Sequence, residues 1–349
     1  MTQSKTLQVA LIGAGMVAKT HVAALAEARG VNLRGIASRS GTSAARLAAE
    51  ATELTGAAVR TYGSVAEIAA DGAVDIAVIV TPPDARADLI RPLAAAGKHI
   101  LLEKPVGRTA AEAREVVAVA EAAGVQLGIV FQHRMRAASQ KAAELVASGA
   151  LGGLGLVEIA VPWWRDQAYY DEPGRGSYAR DGGGVLINQA IHTIDLALSL
   201  AGPVRRVRAM ARTSRFHAME AEDFVVAGLE FDGGALGSLT ASTASFPGRP
   251  ETLTLHFDRA SLHLASGVLQ LDWRDGRSER FGETGGTGGT SDPMAFTHAW
   301  HQAVIEDFTH AVSTGRAPVC PGGAALPSHD LIEAITRSAQ SGAAEELAA

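Results

Sequence analysis

Short, continuous apolar runs recur through residues 1–131, and a segment with helical spacing follows most of them. Leu7 to Ile12 is the first run, and a helix is predicted from the turn after it to about Ala28. Asn32 to Ala37, Val59 to Tyr62, Asp75 to Val80, His99 to Leu102 and Val125 to Phe131 come next. The most apolar of these, such as His99 to Leu102, suit strands buried on both faces. The punctuation agrees. Thr81-Pro82-Pro83 breaks the fourth strand, and Gly97 ends the helix that starts at Asp84. Thr109 and Glu112 form a capping box for a helix closed by Gly124. The repeated strand–helix unit predicts an α/β, doubly wound parallel sheet.

The pattern changes after Phe131, which sets the expected boundary between a domain at 1–131 and another at 132–349. A helix is predicted from Ala138 to Ser148. Strand-like segments follow at Gly155–Pro162, Val204–Ala211, Phe224–Phe231, Ala235–Ala244, Glu251–Phe257, Ser261–Ala265 and Val268–Asp272, several joined by tight turns such as Asp232-Gly233-Gly234. They predict an α+β domain with a large, mostly antiparallel open sheet. One face of such a sheet needs cover, and a partner subunit is one way to supply it. Gly282 to Thr290 is too poor in apolar residues to pack and reads as a mobile surface loop. Met294–Ser313 and Ser328–Gln340 read as closing helices.

A chain of 349 residues is long enough for two domains. Its net charge of −6 gives no support for nucleic acid or an anionic membrane surface as partner. No run approaches the ~18 apolar residues needed to cross a bilayer. One cysteine, Cys320, rules out an intramolecular disulfide. Met1 to Lys5 runs straight into a strand without a cleavable leader pattern. A cytoplasmic enzyme is the expectation.

Four stretches carry candidate chemistry. Gly13-Ala14-Gly15-Met16-Val17-Ala18 is a G-x-G-x-x-A turn between a strand and a helix. Such a turn is tight at its first glycine and lets a pyrophosphate approach the second and the helix N-terminus. The second strand ends in Ser38-Arg39, where NAD sites usually carry an acidic residue for the ribose 2′-hydroxyl. A hydroxyl and a guanidinium would instead bind a 2′-phosphate, so NADP is the favoured cofactor and NAD the alternative. Arg39 stacking on the adenine, or pointing into solvent, is the plainer reading.

Glu103-Lys104-Pro105 follows a buried strand, at the sheet end where ligands sit. A lysine there can stabilise charge on a reacting oxygen, and Lys-Pro is a possible cis bond. A surface ion pair is the bland alternative. Gly182-Gly183-Gly184 opens a helix that would place Asn188, His192 and Asp195 on one face, opposite Ile187, Ile191, Ile194 and Leu198. Short amides, an imidazole and one carboxylate are not the long charged residues of an ordinary polar stripe. Trp163-Trp164-Arg165-Asp166-Gln167-Ala168-Tyr169-Tyr170 leaves a strand at Pro162 and reads as a loop flooring a substrate pocket, with core packing as the alternative.

Together these residues resemble the glucose–fructose oxidoreductase, inositol dehydrogenase and rhizopine-catabolism family, written Gfo/Idh/MocA. The resemblance covers the glycine turn with His21, Thr81-Pro82-Pro83, Ala96-Gly97-Lys98-His99 and Glu103-Lys104-Pro105. It continues through the triple glycine to His192 and Asp195, then Phe308, Gly315-Arg316-Ala317-Pro318 and Leu331-Ile332. It implies a Rossmann domain, a substrate domain on an open sheet, and a homodimer or homotetramer.

The activity implied is hydride transfer between NAD(P) and a secondary alcohol or ketone of a sugar or polyol. Lys104 and His192 would act on the carbinol oxygen, with Asn188 beside them and Asp195 orienting His192 or pairing elsewhere. Gly13, Gly15, Met16, Val17, Ser38, Arg39, Thr81, Pro82, Glu103 and Lys104 would bind the cofactor. Arg134, Trp163, Trp164, Arg165, Asn188 and His192 would join Lys104 at the substrate. An acidic substrate could instead meet Arg134, Arg165, Arg175 or Arg180.

No metal is expected, because no His/Cys cluster with ligand spacing occurs. Two departures stand out. Asn188 replaces an aspartate frequent in sugar dehydrogenases and cannot carry a proton. Arg86 stands where a histidine often follows Thr-Pro. Within the same fold, a nicotinamide-dependent glycosidase and a non-enzymatic dinucleotide-binding regulator are the alternatives.

Overall fold

The structure, a computed structural model, describes residues 5–286, 288–290, 292 and 294–347. Met1 to Ser4, and Thr287 in the expected surface loop, lie outside the described residues. The chain forms two compact units. The first runs to Gly107 and takes in Ala111–Gln132 and His298–Ala325. The second comprises Arg108–Ala110, His133–Thr297 and the chain from Leu326 onward.

In the first unit the apolar runs become β1 (Leu7–Ile12), β2 (Val31–Ala37), β3 (Arg60–Tyr62), β4 (Ile76–Ile79), β5 (His99–Glu103) and β6 (Leu127–Val130). All pair in parallel, in the order β3-β2-β1-β4-β5-β6. The chain therefore builds outward from β1 in one direction and then from β4 in the other. The crevice at that reversal, beyond the strands' carboxyl ends, is where open α/β sheets bind ligands. Residues 13–15, 80–82 and 103–105 stand at those ends. The closing helix Ala299–Thr314 belongs to this unit and packs on α1 (Ala18–Glu27), β5 and β6. The sequence places it in the second domain. Its buried stripe of His301, Val304, Ile305, Phe308 and Ala311 explains the difference, since that stripe completes the first core.

The second unit holds β7 (Leu154–Pro162), β8 (Val204–Arg212), β9 (Phe224–Phe231), β10 (Leu236–Ser242), β11 (Thr252–Phe257), β12 (Ala260–Ala265), β13 (Val268–Trp273), β14 (Ser278–Gly282) and β15 (Glu345–Glu346). Their order is β14-β13-β12-β11-β7-β10-β9-β8-β15, antiparallel except between β7 and β10. The sequence reading misses β14, which is polar, and β15, which is only two residues long. Alternation is clear where one face is buried: Val225, Ala227, Leu229 and Phe231 of β9 point inward. Helices Ala137–Ala147, Ile191–Ala201 and Leu326–Ser341 pack on the sheet. Leu156, Met210, Val226 and Leu236 are exposed, and register places Met210 beside Val226 and Leu236 beside Leu156.

Part of the expected surface loop is anchored. Gly288 and Gly289 are buried. Trp164 N–H donates to the Gly289 carbonyl, and the Arg165 guanidinium donates to those of Gly288 and Thr290. A glycine-rich segment can be held through its carbonyls with no apolar side chain. No helix among the described residues is long and apolar enough to cross a membrane.

Candidate active site

The first unit forms a dinucleotide cradle. Gly13 has φ +119°, and a Cβ there would come 2.8 Å from Val80 Cγ2, so only glycine fits. Beside Gly15 the space is open, with nothing within 4 Å of a Cβ position. Gly15 and Met16 are exposed, Val17 is half-buried, and Ala18 packs fully inward at the start of α1. Exposed backbone at a helix N-terminus, under open space, fits a pyrophosphate. Thr81 Oγ1 at the end of β4 is buried and has no protein partner, which fits a ligand atom above it. Pro82 beside it is exposed. At the end of β2, Ser38 is half-buried and Arg39 exposed. Ser40 caps the following helix by accepting from Ser43 N–H at 3.3 Å.

Lys104 is half-buried at the end of β5, and the Lys104-Pro105 bond is cis. Glu103 makes no surface ion pair; it is buried against His21, with Oε1 2.8 Å from Nε2. Arg86, also buried, donates to the Thr81 carbonyl at 2.8 Å and the Lys104 carbonyl at 3.3 Å. It thus ties the ends of β4 and β5 together. Burial pushes its guanidinium down to about 10, against the pull of Glu103 and Asp84.

In the second unit the triple glycine is pressed against Glu222. A Cβ on Gly184 would overlap the Glu222 carbonyl oxygen. That oxygen accepts from Val185 N–H at 2.9 Å. The Glu222 carboxylate accepts from the N–H groups of Gly184 at 3.3 Å and Leu186 at 3.1 Å. Glu222 therefore caps the helix start from a remote part of the chain. Burial raises its pKa, opposed by those backbone donors.

The segment after the cap departs from expectation. Leu186–Ala190 is a π turn, and a regular helix begins only at Ile191. The wider turn breaks the simple i, i+4 facing of Asn188 and His192. The Asn188 amide nitrogen turns back to the carbonyls of Gly183 at 2.8 Å and Gly184 at 3.1 Å. His192 is buried and stacks on His133, with centroids 4.9 Å apart and planes at 25°. Asp195 is fully buried and takes Arg134 in a two-pronged pair at 2.7 and 2.6 Å. Burial lifts the Asp195 carboxyl to about 6, against the Arg134 hydrogen bonds and charge.

The aromatic stretch mostly faces inward. Trp163 is buried, and its Nε1 donates to Glu251 at 3.3 Å. Tyr170 is buried with its hydroxyl on Thr243. Arg165 is buried and donates to the carbonyls of Trp164, Gly288 and Thr290. Trp163 and Arg165, just past the end of β7, are thus buried and spend their polar groups on Glu251 and on loop carbonyls. Trp164 is half-buried, edge-on to the exposed Phe246 at 5.4 Å.

Sequence reasoning also misses a buried chain. Arg136 bridges His133, at 2.6 Å, and Glu251, at 2.8 Å. Glu222-Asp223 had a readable signal: an acidic pair directly before a β-rich run, the counterpart of Glu103 directly after one. Glu251 and His133 had none.

A glycine-turn parallel sheet and a broad open-sheet unit define a chain with a dinucleotide-binding fold. Residues 7–131 match the oxidoreductase family with NAD-binding Rossmann fold, and residues 139–263 match the GFO/IDH/MocA C-terminal domain. The chain belongs to the Gfo/Idh/MocA family. D-xylose 1-dehydrogenase (NADP(+)) 2 of Haloferax volcanii is 30% identical over 82% of this chain and 84% of that protein. The rhizopine catabolism protein MocA of Rhizobium meliloti is 33% identical over 56% of this chain. That match spans 57% of MocA, little over half its length. Among solved structures, the WlbA dehydrogenase from Bordetella pertussis, in complex with NADH and UDP-GlcNAcA, superposes with a TM-score of 0.83. It is 26% identical and covers 100% of both chains.

Proposed function

We propose that the protein is an NAD(P)-dependent dehydrogenase acting on a secondary alcohol, or the matching ketone, of a sugar or polyol. The observation that carries this is Lys104 at the carboxyl end of β5, in the same unit and sheet as the cradle of Gly13, Gly15, Met16 and Val17. When bound, the nicotinamide supplies the hydride acceptor or donor. Lys104 donates to the reacting oxygen and stabilises its alkoxide character, and His192 holds or takes the hydroxyl proton. Thr81, Pro82 and Glu103 line the nicotinamide side of the cradle, and Ser38 and Arg39 its ribose side. Oxidation of a sugar and polyol panel, read by reduced-nicotinamide absorbance with both cofactors, tests the reading. No turnover on any member would reject it.

The preferred cofactor is NADP. In support, the end of β2 carries Ser38 and an exposed Arg39 where a carboxylate would repel a 2′-phosphate. NADPH is expected to bind more tightly than NADH, and Arg39→Ala to weaken NADPH more than NADH. Equal wild-type affinities in a fluorescence titration would count against this preference.

The protein assembles through its open sheet as a homodimer or homotetramer. The exposed pairs Met210–Val226 and Leu156–Leu236 support this, since a second copy would remove them from water. Light scattering at micromolar concentration is expected to give a dimer or tetramer mass, and a monomer mass would exclude the assembly.

A further inference from the structure

Glu103 is 5% exposed, yet it ends a strand whose three preceding side chains, Ile100 to Leu102, are apolar and buried. A carboxylate in that place is costly unless polar partners replace its water. Three groups do so. His21 Nε2 on α1 lies 2.8 Å from Oε1, and His301 Nε2 on the closing helix lies 3.6 Å from the same oxygen. The Lys104 main-chain N–H donates to Oε2 at 3.2 Å. The two imidazoles are 0% and 1% exposed and meet edge-on, centroids 5.1 Å apart. Burial opposes the charge on Glu103, but His21 and His301 beside it outweigh that and hold the carboxyl well below the ordinary range. Burial also lowers the His301 pKa, which favours a neutral ring donating a single N–H.

We propose that His301 is a positioning residue for Lys104, acting through the Glu103 carboxylate that it shares with His21. One carboxylate oxygen gathers α1 and the closing helix, and the other takes the peptide N–H of the lysine. Arg86 takes the lysine carbonyl from the opposite side. The backbone of Lys104 is therefore held at both of its polar groups, and a change at His301 reaches the lysine without touching it. This gives the closing helix a task in the first unit beyond packing. Its relevance to turnover rests on the dehydrogenase reading of Lys104. The same three side chains, with ligand atoms all within 4.8 Å, could also hold a metal ion. The 2.8 Å His21–Glu103 separation is that of a hydrogen bond and satisfies the carboxylate without one.

The chain has five lysines, so protein labelled with 15N-lysine gives a readable set of backbone amide signals. The Lys104 signal is identified by its loss in Lys104→Arg. In His301→Phe, which fills the volume but donates nothing, that signal is expected to shift and its amide to exchange several-fold faster. In His301→Gln, which restores an N–H donor, both are expected to return most of the way to wild type. A Lys104 amide that behaves alike in all three proteins would overturn the proposal. So would Phe matching the wild type while Gln does not. Stoichiometric transition metal in the purified protein, by plasma mass spectrometry, would also overturn it, because a metal would then hold the three side chains. If Lys104→Ala keeps full turnover, the dehydrogenase reading of the lysine fails while the amide result stands on its own.

Discussion

Lys104→Ala is expected to lower kcat by about 10²-fold or more, the scale for losing a group that stabilises charge in the transition state. The expectation follows from how the lysine is built in. Its backbone is held by Glu103 and Arg86, so truncating the side chain leaves the end of β5 in place. The cradle for the pyrophosphate is Gly13 to Val17 at another strand end, and it should keep its affinity. The loss should therefore fall on kcat, with the dissociation constant for NADPH little changed. The check is a pair of measurements on one protein: turnover of a sugar or polyol found active in the panel, and a fluorescence titration with NADPH. Near wild-type turnover would show that another group carries the charge on the oxygen. Large loss of NADPH binding would instead make the lysine a cofactor ligand first.

What could be read from the sequence depended on whether a signal was local. Most strands of the first sheet were legible as short runs rich in apolar residues and bounded by turn residues, although β2 carries Asn32 and Arg34 and β3 is only Arg60–Tyr62. The repeated unit implied a doubly wound parallel sheet, whereas the reversal between β1 and β4 is visible only in the fold. The helix Ala299–Thr314 was legible as a helix, but its membership was not. His301 and Phe308 carry no mark of which core they complete, and that core is assembled from strands far away in the chain. The π turn at Leu186–Ala190 was invisible for a related reason. It is accompanied by Glu222, which binds the N–H groups of Gly184 and Leu186 from more than thirty residues away. Arg165 illustrates the opposite error. An arginine among aromatics suggests an anion or sugar contact, yet its partners are carbonyls of a glycine-rich segment with no side chains to advertise them. The triad of His21, Glu103 and His301 escaped a search for ligand spacing because its members come from two helices and a strand widely separated in sequence.

His192→Ala is expected to lower kcat by roughly 10²-fold or more, the usual range for a positioned general base. Asn188→Ala separates this role from the integrity of the turn that carries the histidine. The Asn188 amide holds the carbonyls of Gly183 and Gly184, so its loss should cost stability, about 1–2 kcal/mol for two buried-side hydrogen bonds, more than turnover. His192 makes a different contribution. It stacks on His133, which contacts Arg136, itself paired with Glu251, so its ring plane is set by packing. Alanine there removes the imidazole proposed to carry the proton while Glu222 still caps the helix start. The comparison is kcat and thermal midpoint for both variants on one substrate. If both residues act on one oxygen, as proposed, the Lys104→Ala, His192→Ala double variant should lose less than the product of the two single losses, because groups acting as a unit are non-additive. A His192→Ala protein with near wild-type kcat would remove the histidine from the proton path and leave Lys104 or a water to carry it. Independent, multiplicative losses would instead mean that the two residues act at different steps.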